Sequence, residues 1–182
     1  VWVTTAGILT GCGGGTPKLE DALKKTASYE QEAVAGEAGG EWTVIALARS
    51  GESVDENYFE KYRASLEKAV KEQNGILSED RYTEYSRAVL ALKAIGADPT
   101  DIGGYDIQKP LDDVDTVVSQ GLNGAIWALL ALNADNPDEN KNGETEKKYL
   151  DYLLEREKED GGFSLDDNAD NGDVDLTAMT LQ

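Results

Sequence analysis

Apolar positions recur along this chain in two patterns, and the contrast predicts two kinds of helix. In residues 54–73, Tyr58, Phe59, Tyr62, Leu66, Ala69 and Val70 keep the spacing of a one-faced amphipathic helix. Ser53-Val54-Asp55-Glu56 reads as its capping box, with Ser53 bonding forward and Glu56 bonding back, and Asn74-Gly75 as its stop. Residues 145–157, with Tyr149, Tyr152 and Leu153, form a second helix of this kind. Thr16-Pro17 opens an earlier one, with Pro at the first helical position and Leu19, Ala22 and Leu23 on one face. The other kind is apolar nearly all round. Val44-Ile45-Ala46-Leu47 recurs as Val89-Leu90-Ala91-Leu92, Ile126-Trp127-Ala128-Leu129 and Ala178-Met179-Thr180-Leu181, at offsets of 45, 37 and 52 residues. Gly51 and Gly96 close the first two copies at the same position. A helix that is apolar all round is buried. Its alternation with amphipathic helices is a helical-hairpin repeat. That repeat predicts residues 42–50, 85–95 and 122–133 inside and 54–73 and 145–157 outside.

The connections repeat as well. Gly39-Gly40-Glu41-Trp42, Gly103-Gly104-Tyr105 and Asp160-Gly161-Gly162-Phe163 each set a glycine pair near an aromatic. Such a pair gives a tight turn, and the ring can plug the gap between neighbouring hairpins. Asp160-Gly161-Gly162-Phe163 followed by Asp173-Val174-Asp175-Leu176-Thr177-Ala178 resembles the prenyltransferase and squalene-oxidase repeat. Closer still are bacterial surface proteins carrying that repeat. Glu41 to Gly51, Tyr82 to Arg87, Gln120 to Gly124 and Asp173 to Leu181 are similar to that group, in that order. The resemblance implies an all-α fold, an α/α toroid spanning residues 17–182, as a partial barrel, behind a tether of residues 1–16. It says little of activity, because the surface group has no single function.

A toroid's inner helices start around a central funnel. Here those starts are Glu41 and Trp42, Glu84 and Tyr85, Gln120 and Asn123, then Asp173 and Asp175, the expected ligand-binding residues. Carboxylates at helix starts also serve as ordinary caps, and Trp42 and Trp127 read more readily as core. Set against the terpene cyclases, Asp175 stands where the general acid would be, with Asp173 beside it. Leu176 replaces the adjacent Asp that would help hold that carboxyl protonated. Aromatics are 7% of the chain, few for sheltering a carbocation. The prenyltransferase zinc site calls for His, and the chain has none. A cobalamin-carrier-like binding domain stays open, although no motif demands it.

Charge narrows the partners. Lys and Arg total 17 against 36 Asp and Glu, a net charge of −19. That field repels phosphate backbones and anionic lipid, so no nucleic-acid partner is expected. Without His there is no Ser-His or Cys-His nucleophile pair, and the single Cys allows no internal disulfide. Leu9-Thr10-Gly11-Cys12 follows an apolar run and resembles a bacterial lipobox. Cys12 would carry the lipid, Gly13-Gly14-Gly15 would be a tether, and the membrane would be met only through that anchor. The alternative is a strand-like remnant of a preceding domain. The chain ends at Leu181-Gln182 inside an apolar helical run with no stop, so a longer natural chain is expected.

Calcium is the one cofactor with any sequence signal. Asp138-Glu139-Asn140-Lys141-Asn142-Gly143 matches half of a calcium loop, but its twelfth position is Tyr149. The cluster around Asp166, Asn168 and Asp170 lacks the standard spacing, and acid runs of this sort are usually solvated loops. The reading as a whole is a non-catalytic binding or interaction module of the bacterial cell envelope or exterior, with its ligand or partner in the funnel.

Overall fold

A computed structural model describes residues 18–134 and 143–182. Among them the chain forms eight α-helices and no β-strand. Thr16-Pro17, the Cys12 segment and the Asp138 to Asn142 half-loop lie outside the described residues.

Helix α1 runs Leu19–Ala33, with Glu20 and Asp21 in its first turn, where acids complement the helix dipole. Its expected apolar face is not buried. Leu19 and Leu23 are exposed, and Ala27 alone is in the core. The helix is tied down instead by Gln31, which reaches the next connection. The Gln31 side chain accepts from the Asp55 amide at 2.9 Å and donates to the Ser53 carbonyl at 3.5 Å.

Helix α2 (Glu41–Arg49) ends at Ser50, and Gly51 follows with φ 73°. Helix α3 (Glu56–Glu72) buries Tyr58, Tyr62, Leu66 and Val70, the stripe that the spacing predicts. Its cap is Asp55 rather than Ser53: the Asp55 carboxylate accepts from the Asn57 amide at 3.0 Å. Both are capping types, and the helix begins two residues too late for Ser53 to serve. Asn74 and Gly75 have positive φ and stop the helix, with the Gly75 amide bonding the Val70 carbonyl at 2.8 Å.

Helix α4 (Tyr82–Ala94) is central. It packs against α2 on one side and against α6 (Leu122–Asn133) on the other. Six of its residues and seven of α6 are buried, as the all-round apolar pattern requires. Gly96 has the same φ of 73° as Gly51, so α2 and α4 are followed by the same left-handed turn. Between α4 and α6 lie a 3-10 turn (Lys109–Asp112) and the short α5 (Val114–Val118), neither of which the periodicity predicts. Helix α7 (Gly143–Leu154) packs on α5 and α6 and fastens both short elements. The Tyr149 hydroxyl donates to the buried Leu111 carbonyl at 2.6 Å, and the Tyr152 hydroxyl donates to Val118 at 3.2 Å. Burial pushes the Tyr149 phenol up in pKa, and Asp112 and Asp113 add to the effect.

Helix α8 (Val174–Thr180) is capped by Asp173, which accepts from the Leu176 amide at 2.8 Å. A clasp holds this helix to the preceding turn. The Asp160 carboxylate accepts from the amides of Gly162, at 2.9 Å, and Gly172, at 3.0 Å. Thr177 Oγ1 accepts from the Phe163 amide at 2.9 Å, and Phe163 and Asp173 form a β-bridge. Gly162 and Gly172 lie backbone to backbone, closer than any side chain would allow. The residues that carry the repeat resemblance are thus the ones that fix this turn. Of the three repeated aromatics, Phe163 is buried and Tyr105 covers Gly75, so both fill gaps. Trp42 does not.

Candidate functional site

Helix α2 is buried on one flank only, through Glu41, Val44 and Leu47. On the other flank, Trp42, Ile45 and Arg49 stand three and four residues apart and face open space. The result is a groove of about 660 Å³ between α2, α4, α6 and α8, floored by Leu90, Trp127, Leu130 and Met179. Trp42 is 50% exposed, and its ring meets that of Trp127 edge to face, with centroids 5.0 Å apart. These two tryptophans are not core, as the all-round pattern suggests, but walls of the groove. Among the described residues, Arg49 is the single charged one that lines it.

The other expected site residues are placed differently. Glu41 is buried behind the groove, where Oε1 accepts from the Gly39 amide at 2.7 Å. Its Oε2 lies 3.4 Å from Arg87 Nε, and Arg87 also pairs with Glu84, so one guanidinium joins the starts of α2 and α4. The Tyr62 hydroxyl is buried beside them. Burial pushes its pKa up, and the Glu41 charge adds to that. Tyr85 accepts from the Leu77 amide at 3.0 Å. Gln120 ties the α4 start to the α6 start, accepting from the Tyr82 amide at 3.0 Å and donating to the Asp80 carbonyl. It lines a second pocket of about 430 Å³ with Arg156 and Ser164. Asn123 is half-buried in the first turn of α6. Asp173 is spent on its cap, and Asp175 is exposed, outside the lining of either pocket. The structure therefore brings Glu41 and Glu84 together across Arg87 and ties the starts of α4 and α6 through Gln120.

Among the described residues, no three acid, Cys or His side chains converge to hold a metal. In the Asp166 cluster the Lys158 ammonium already bonds the carbonyls of Asp166 and Asp167, at 3.3 and 3.0 Å. The Asp166 carboxylate accepts from the Asn168 amide at 2.9 Å, and Asp170 is exposed. No described helix is long and apolar enough to cross a membrane.

The groove residues that sequence reasoning passed over, Ile45, Arg49, Leu130 and Met179, lie along the helices rather than at their starts. Their signal was the Trp42, Ile45, Arg49 spacing. Comparison with protein-family models, with curated proteins and with solved structures gives no match to this chain.

Proposed function

We propose that the chain is a helical-hairpin repeat domain of the α/α toroid type, in partial form, which binds an apolar ligand in the groove and performs no chemistry on it. The observation that carries this reading is the tryptophan pair, half-exposed Trp42 against partly buried Trp127, walling a cavity of about 660 Å³. That size suits a small-molecule ligand, and leaving such rings in water costs free energy that a ligand would recover. The toroid reading is supported by the side-by-side order of α2, α4 and α6, with α3 and α7 each burying a single stripe. Binding is favoured over acid catalysis because Asp175 is exposed and apart from the groove. Placement in the bacterial cell envelope or exterior rests on the Leu9 to Cys12 lipobox resemblance.

The test is a titration with decanol, a neutral apolar probe, followed by tryptophan emission. Saturable binding is expected, weakened about tenfold or more in Trp127→Ala, since the ring supplies a large share of the contact area. Absence of binding would refute the reading. So would turnover of a linear polyprenyl substrate that disappears in Asp175→Asn.

A further inference from the structure

Resting on that reading of the groove, we infer that its ligand is an amphiphile with a single anionic head, a carboxylate, which Arg49 receives while the apolar chain lies against Trp42 and Trp127. The chain carries a net charge of −19, and several of its cations are engaged by neighbouring acids, among them Lys71 by Glu67, Lys147 by Asp151, and Arg87 by Glu41 and Glu84. Arg49 has no ion pair and no side-chain hydrogen bond among the described residues, and it is the one charged side chain among the described residues of a mostly apolar lining, whose other polar members are Asn133, Thr180 and Gln182.

Its place at the end of α2 gives it a modest role against the helix dipole. That role does not need the side chain to line a cavity. Arg49 is exposed where it lines the groove, so its guanidinium can meet the polar head of an occupant whose apolar part lies deeper. A carboxylate matches the guanidinium fork with two parallel charge-assisted bonds. The head carries one charge and not several, because the acidic surface repels each further negative charge and only one cation is present to offset it.

The probes are decanoate, decanol, decyl phosphate and decyltrimethylammonium, which share one chain and differ in the head. Calorimetry on the full chain is expected to show decanoate binding about tenfold more tightly than decanol, with decyl phosphate gaining less. In Arg49→Gln, decanoate should lose its advantage and bind no more tightly than decanol. Asn133→Asp adds an acid to the same lining and should weaken decanoate more than decanol. It serves as the second variant should Arg49→Gln fold poorly by circular dichroism.

Equal binding of decanoate and decanol by the wild type overturns the anionic head but leaves the groove reading standing. Binding of neither overturns both. A preference for decanoate that survives Arg49→Gln, tighter binding of decyl phosphate, or tighter binding of the cationic probe overturns the inference. Sedimentation run alongside covers the other occupants. A dimer that dissociates in Trp127→Ala would place a second copy in the groove. Binding that appears only after removal of residues 1–17 would place the chain's own N-terminal segment there, and either result overturns the proposal.

Discussion

Asp160 holds two turns with one carboxylate, through the amides of Gly162 and Gly172. Those bonds keep its carboxyl below the usual carboxylate range, Gly162 contributing most. Each amide prefers the charged form, so the clasp is strongest when Asp160 is ionised. A group whose folded pKa is depressed stabilises the fold above its unfolded value, and the contribution is lost as pH falls through the folded value. Asp160→Asn should therefore be less stable than the wild type at neutral pH, and the difference should shrink below the ordinary carboxylate range. Urea unfolding at a series of pH values measures this. A difference that stays constant from neutral to acid pH would show that the charge is not what the clasp uses.

At the scale of elements, α5 and α6 approach so closely at Gly124 that any Cβ there would overlap the Val117 carbonyl oxygen. The obstacle is backbone, which cannot rotate aside. Gly124→Ala should cost about 1–3 kcal/mol, as overpacked core positions do, despite alanine's better helix propensity. Chemical denaturation would read the loss, and a neutral or stabilising effect would mean that α5 shifts freely. This contact also marks the limit of what local pattern conveys. The α3 stripe was legible because Tyr58, Tyr62, Leu66 and Val70 are spaced for one face. Residues 109–118 were not, because they are too short to show a period. Their partners, Tyr149 and Tyr152, come from 34 to 38 residues downstream. In α2 the pattern showed an apolar helix but not which flank would find a neighbour, so Trp42 read as core and became a groove wall. The cap of α3 shifted from Ser53 to Asp55 because both residues can cap, and only the start of the helix decides between them.

At the scale of the whole molecule, 36 acids against 17 bases must share one surface. Self-repulsion of this kind opposes compactness and is screened over about 10 Å at 0.1 M salt. Tm should therefore rise as sodium chloride increases from low to physiological ionic strength. A flat or falling Tm by circular dichroism would mean that local pairs such as Arg87 with Glu41 outweigh the general field. The clasp at Asp160 has a different consequence at this scale. Residues 164–171 leave and re-enter the fold at points already fastened to each other, by the Gly162–Gly172 contact and by the Asp173 amide on the Phe163 carbonyl at 2.7 Å. A passenger sequence grafted between the exposed Asp170 and Asn171 would not have to hold those ends together itself. Doubling the length of such a loop costs only about 0.6 kcal/mol, so the protein carries a tolerant insertion point of its own making.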